Sequence, residues 1–194
     1  MRRLPLFVLP VVLFPGTVMP LHVFEARYRR MIAHCLEGDR RFGVLFNDFE
    51  QRPEYEITEG EIGCVAEIER FHPLPDGRSL LLAQGVERFR VVDGVETGQP
   101  YAEALVEPYG DTAQPPADLP AHRCLVQGLL SSAIQRAQGP GARPPVLDTD
   151  RDISFALAAA IQIDVRWRQL LLELPTEQAR LRQIEDVLRG LLEG

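Results

Sequence analysis

Four histidines, three cysteines and four serines are the side chains of this 194-residue chain best suited to nucleophilic or metal chemistry, and their spacing supports neither. A nucleophile needs a base within hydrogen-bond reach and a third group to orient that base. Ser79, Ser131, Ser132 and Ser154 all lie outside any Gly-x-Ser-x-Gly elbow. Cys35 follows His34 directly, but adjacent side chains on a helix diverge by about 100° and do not face each other. No two of His22, His34, His72 and His122 stand three or four residues apart, the helical spacing for a shared metal. His22 and Glu25 straddle a strand-to-helix junction and read as a capping or packing pair. Cys35, Cys64 and Cys124 form no CxxC pair, so three buried thiols in a reducing cytoplasm are expected. Residues 48–61 hold six carboxylates and only Arg52. A calcium loop needs alternating Asp/Asn ligands around a glycine, whereas here glutamates dominate and Pro53 and Tyr55 interrupt, so a solvated loop is expected. No metal and no cofactor are expected.

All 21 basic residues are arginine; the chain has no lysine. That excludes a Walker phosphate loop, a Schiff-base or pyridoxal enzyme, a Ser-Lys dyad and a kinase, each of which needs a lysine. Residues 1–110 carry 12 arginines against 17 acids, a net −5, and the remainder 9 against 11, a net −2. Neither half has the cationic field of a general nucleic-acid binder. Locally, Arg27, Arg29, Arg30, Arg40 and Arg41 form a basic cluster opposed by Glu37 and Asp39. This is a solvated helix face or a docking site for an acidic partner.

The elements that would position these groups follow from periodicity. Arg2 and Arg3 precede an apolar run over residues 4–21 that imitates a secretion signal or short membrane span. Pro5, Pro10, Pro15 and Pro20 decide against both, since each interior proline costs a helix about 3 kcal/mol. The segment is therefore extended, with short strands over 11–14 and 17–21 around a Pro15-Gly16 turn. No membrane segment is expected, and the location is read as cytoplasmic. Residues 24–36 form an amphipathic helix with Phe24, Tyr28, Met31, Ile32 and Cys35 on one face. Glu25 falls in its first turn, and Gly38 supplies a left-handed stop. Strands follow over 42–46, 62–71, 79–83, 87–92 and 101–106, with Pro75-Asp76-Gly77 as a hairpin turn. Several strands, one early helix and short turns suggest a small closed barrel.

Composition then shifts: seven of the 16 prolines fall between positions 108 and 145, which places a boundary near residue 110. A helix over 118–138 carries the stripe Val126, Leu129, Leu130, Ala133, Ile134 and Ala137, and a Gly/Pro connector over 139–145 follows it. Helices at 153–163, 165–174 and 177–192 complete the chain, with Thr176 as N-cap and Leu181, Ile184, Leu188 and Leu191 lining the last. The expected fold is α+β, a β-rich domain over 1–110 and an α-helical bundle over 111–194.

Beyond these patterns, particular residues carry a resemblance. Leu4-Pro5-Leu6-Phe7, Leu9-Pro10-Val11-Val12-Leu13-Phe14-Pro15-Gly16 and Met19-Pro20-Leu21-His22-Val23-Phe24-Glu25-Ala26-Arg27-Tyr28 closely resemble the start of the Lon protease N-terminal domain. The match extends through residues 35–44, 61–68, 75–78 and 85–91, and late in the chain through 168–173 and Arg180-Leu181. Ala26 stands where family members often carry proline, a change compatible with a first helical turn. The resemblance implies a PUA-like pseudo-barrel followed by a helical bundle, capture of polypeptide substrates, and in some members subunit association. In Lon an ATPase and a Ser-Lys peptidase follow this domain; these 194 residues contain neither.

The expectation is a stand-alone, non-catalytic module that recognises exposed apolar or unfolded polypeptide segments, through an apolar groove or an open sheet edge. It would act as an adaptor in protein quality control, with a homo-oligomer or a separate protease as further partners. Phe7, Phe14, Met19 and Tyr28 are the candidate peptide contacts. The alternatives are a PUA-like barrel that binds RNA or a nucleotide, against which the acidic charge argues, and a small-molecule enzyme, which would need a deep pocket of convergent polar groups.

Overall fold

The structure is a computed structural model and describes residues 1–50, 53, 56–112, 114–139 and 141–193. Residues of the acidic loop such as Arg52 and Tyr55, and Pro140 of the connector, lie outside the described residues. Two compact units result, Met1–Gly110 and Asp111–Gly194.

The first unit is a six-stranded pseudo-barrel with one helix: β1 (Arg2–Leu9), β2 (Val18–Val23), α1 (Ala26–Glu37), β3 (Arg41–Phe46), β4 (Ile62–Pro73), β5 (Ser79–Val95) and β6 (Ala102–Pro108). β1 pairs in parallel with β3 and antiparallel with β6; β4 joins β3 to β5, and β5 pairs with β6 to close the ring. β2 lies outside this ring, paired with the first part of β5. Closure removes most of the open edges that would otherwise invite aggregation; β2 keeps one free edge.

Strand alternation sorts the apolar residues into two cores. Leu4, Leu6 and Val8 face one way with Leu45, Val65, Phe89, Val91, Ala104 and Val106. Phe7 faces the other way, with Phe42 and Val44 and with Tyr28, Met31, Ile32 and Cys35 of α1. The Phe89 ring fills the barrel interior so closely that a Cβ on Gly63 would sit 2.4 Å from it. β5 is continuous through residues 79–95, where two shorter strands were expected. Gly85 allows this: its backbone pairs with residues 16 and 17, and a Cβ there would lie 2.1 Å from the Phe14 carbonyl oxygen. The expected strand over 11–14 is absent, although Val12, Leu13 and Phe14 are buried.

The helix also differs in its ends. α1 starts at Ala26 with Glu25 as the residue before it, so Glu25 is not in the first turn, and Phe24 is left 58% exposed. Gly38 has φ −106°; the left-handed residue is Arg40, at φ 62°. Two hydrogen bonds from the Arg40 guanidinium to the Ile68 carbonyl, 3.0 and 2.9 Å, hold that turn.

The second unit contains α2 (Leu119–Gln138), α3 (Ser154–Ala160), α4 (Val165–Glu173) and α5 (Glu177–Glu193). Its apolar core includes Val126 and Leu130 of α2, Leu157 of α3, Leu171 and Leu172 of α4, and Leu181, Ile184 and Leu188 of α5. Ala137 and Leu191, expected on the buried stripes, are exposed, because each lies in the last turns of its helix. Thr176 caps α5 by accepting the Ala179 N–H, 3.2 Å, and Asp164 caps α4 by accepting that of Arg166, 2.8 Å.

Candidate functional site

The four apolar residues expected to contact a ligand belong to the core. Phe7, Phe14 and Tyr28 are buried, and Met19 is half-buried against the α1-side core. Phe7 stacks on Tyr28 with ring centroids 4.0 Å apart, and the Tyr28 hydroxyl donates to the Val8 carbonyl at 3.1 Å. Burial of large apolar area and a satisfied hydroxyl fix these rings as packing elements. They cannot present themselves to a partner without opening the barrel.

The exposed apolar surface lies on the opposite face of the same ribbon. β2, β5 and β4 run side by side, and the register places Pro20, Leu82 and Arg70 in one cross-strand row. His22, Leu80 and His72 form the next. Together with Leu21, Phe71 and Leu81 they line an open groove of about 750 Å³. Leu80 is 46% exposed and Leu82 is half-buried on this face, while Leu81, paired with Leu21 and Phe71 in the row between, points to the core side. Phe24 extends the surface, its ring 5.7 Å from that of His22.

Backbone geometry says how this groove can be used. β2 has no second strand partner among the described residues. The Thr17 carbonyl accepts from the Gly85 N–H at 2.8 Å, so by alternation Met19, Leu21 and Val23 turn their amide groups toward β5. Val18, Pro20 and His22 turn theirs to the open edge. Pro20 has no N–H to offer, so the middle of that edge lacks a donor. Strand addition is disfavoured, and side-chain contact across the face is left as the mode of binding.

The five-arginine cluster is not one free basic patch. Arg27 pairs with Glu25 at 2.8 Å and lies over the Tyr28 ring, and Arg41 pairs with Glu67 at 2.7 Å. Arg40 is committed to Ile68, and Arg29 donates to the Gly77 carbonyl at 3.4 Å. Arg30 is exposed.

The nucleophilic and titratable groups are dispersed. His34 Nδ1 meets the Tyr101 hydroxyl at 2.9 Å, and His122 Nε2 meets Glu185 at 2.8 Å, in different units. Burial pushes the thiols of Cys35 and Cys64 up to about 12, so neither is a nucleophile near neutrality. Cys124 is exposed, against the expectation of three buried thiols. Its side of α2 is simply not covered. No group of three or more His, Cys, Asp or Glu among the described residues could hold a metal ion, and no described helix is long and apolar enough to cross a membrane.

A connected network of buried charges lies in the second unit. Arg180, only 1% exposed, donates to Asp111 at 2.9 Å, Asp152 at 2.7 Å, Ser154 at 2.8 Å and the Leu174 carbonyl at 3.1 Å. Arg123 makes a two-pronged pair with Glu177, 2.8 and 2.6 Å. Burial raises the Asp152 carboxyl, but the Arg180 charge and the Ser154 hydrogen bonds outweigh it and hold Asp152 below its ordinary value. Glu177 goes the other way: burial and the nearby Asp152 charge lift it despite Arg123. Arg180, Asp111, Asp152, Arg123 and Glu177 thus satisfy one another.

Solved structures share this fold of a closed barrel followed by helices. The N-terminal domain of a Lon protease of the Mycobacterium avium complex superposes with a TM-score of 0.74 at 15% identity, covering 97% of this chain and 98% of that one. A Lon N-terminal domain protein from Xanthomonas campestris gives 0.67 at 27% identity, with 96% and 98% covered. Lon protease 2 of Herpetosiphon aurantiacus is 30% identical over 95% of this chain. The chain spans about a quarter of the length of that relative, 24%. The model of the ATP-dependent protease La (LON) substrate-binding domain matches residues 3–190, and the chain belongs to that family.

The groove was within reach of sequence reasoning. Leu80-Leu81-Leu82 is an unbroken apolar run inside an otherwise alternating strand, which means that both faces of the strand are apolar. Pro20 and His22 repeat the period on the neighbouring strand.

Proposed function

We propose that this chain captures apolar segments of unfolded polypeptides in the groove formed by β2, β5 and β4, and performs no chemistry on them itself. One observation carries the reading: in a substrate-binding-domain family, this chain leaves Leu80 exposed beside Leu82 and Pro20 over a groove large enough for several side chains. Pro20 at the open edge supports recognition by side chains rather than by added strand hydrogen bonds. The lack of lysine supports the non-catalytic part, because neither an ATPase phosphate loop nor a Ser-Lys peptidase can be assembled from these 194 residues. Proteolysis of a captured segment would fall to active sites outside them, which makes the domain an adaptor or recognition element.

The test is fluorescence anisotropy with a permanently unfolded, labelled polypeptide. Leu80→Asp is expected to weaken binding at least tenfold, since burying a leucine side chain is worth about 1.5–3 kcal/mol. Thermal unfolding of the variant should be nearly unchanged because the residue is exposed. Binding unaltered by Leu80→Asp would remove the groove from consideration.

A further inference from the structure

The polar groups of the groove are all of one kind. Arg70 on β4, His72 on β4 and His22 on β2 line it, β5 contributes only leucines, and no carboxylate is among the lining residues. Arg70 is exposed and forms no ion pair among the described residues. Elsewhere in this unit Arg2, Arg27, Arg41, Arg78 and Arg90 each pair with a carboxylate. A guanidinium offers five donors and each imidazole at least one N–H, so the groove is rich in donors. What complements it is a set of negatively charged acceptors beside an apolar side chain. The register supplies the spacing: rows two residues apart along a strand lie about 7 Å apart, the i to i+2 repeat of an extended ligand.

Resting on the reading of the groove as a polypeptide site, we propose that it selects apolar segments carrying an aspartate or glutamate close to the anchoring side chain, with Arg70 receiving the carboxylate and His22 and His72 flanking the anchor at Leu80. The preference runs against the field of the whole molecule. A net charge of −7, of which −5 belongs to residues 1–110, attracts basic ligands at long range and repels acidic ones. Selection of acidic segments therefore has to come from the groove itself.

Three labelled peptides of one apolar sequence, flanked by Glu, Gln or Lys, distinguish the possibilities when titrated onto the full chain at about 50 mM and about 500 mM salt. The expected order of affinity at low salt is Glu over Gln over Lys, with Glu and Lys about fivefold to tenfold apart and the gap narrowed at high salt. Arg70→Glu should reverse that order. His22→Gln with His72→Gln should shrink the gap without reversing it. Three equal affinities, each abolished by Leu80→Asp, would overturn the selectivity and leave the groove as a polypeptide site. A Glu preference that survives Arg70→Glu would overturn the assignment to this residue. Failure of all three peptides to bind would overturn the polypeptide reading and the selectivity together.

Discussion

The two units handle their buried charges differently. The barrel unit closes two apolar cores around Phe7, Phe42 and Phe89, leaves an apolar face around Leu80 open to solvent, and buries Arg88 over the Tyr109 ring and Glu103 against Arg3, each apart from the other. The helical unit buries Arg180 and Glu177, with Arg123 nearly so, in one connected network. A barrel is stabilised by closure and by ring packing, so it can tolerate an uncovered face where the first part of β5 pairs with β2. The four helices of the second unit run from 7 to 20 residues. In their case a hydrogen-bonded charge network ties residue 111, the start of α3 and the first turns of α5 to a single guanidinium.

Substitutions should separate the two strategies. Phe42→Ala, which opens a cavity in the barrel core, is expected to cost about 3–5 kcal/mol in urea unfolding. Arg180→Ala should cost somewhat less, about 2–4 kcal/mol, because Asp111 and Asp152 are left unpaired but are each about a third exposed and can recover some hydration. Equal losses for Arg180→Ala and Arg180→Met would mean that charge pairing dominates; recovery in the methionine variant would show that packing does.

Acidification sharpens the contrast. Asp152 is depressed in the folded state, so its contribution is present above the unfolded value and disappears as pH falls through the folded one. Glu177 is raised, so its contribution has the opposite sign: it grows as pH falls toward the unfolded value and diminishes as pH rises through the folded one. Lowering pH from 7 should therefore change stability little at first and then reduce it below about pH 4. Asp152→Asn should be less stable than the parent at pH 7 and have a flatter acid limb. A parent and variant with parallel acid limbs would detach Asp152 from the effect.

The smallest effect concerns thiols and needs no substitution. A disulfide reagent at pH 8 should modify Cys124 readily in the folded protein, and Cys35 and Cys64 only after denaturation. Prompt labelling of either barrel thiol would show that the barrel opens more easily than its packing implies.

Much of this was legible in the amino-acid order. Prolines at 5, 10, 15 and 20 excluded a leading helix, and the Tyr28–Met31–Ile32–Cys35 spacing placed the buried face of α1. The turn at Pro75-Asp76-Gly77 was also readable, and Gly77 adopts φ 80° there. Phe7, Phe14 and Tyr28, the aromatic residues expected as contacts, are buried in the core, and alternation alone does not say which face of a strand is covered. Arg180 gave no warning either: an arginine on an amphipathic helix ordinarily lies in water, and its burial depends on Asp111 and Asp152, 69 and 28 residues away.

Local order therefore determined which segments are strands and helices, which side chains can be buried, and which catalytic machinery is absent for want of a lysine. Tertiary structure decided which apolar face remains uncovered, and for a plain reason. Alternation in a strand says that a side chain points to one face or the other, but only the pairing of β2 outside the ring, with Pro20 at its edge, determines that nothing in the barrel comes to cover Leu80.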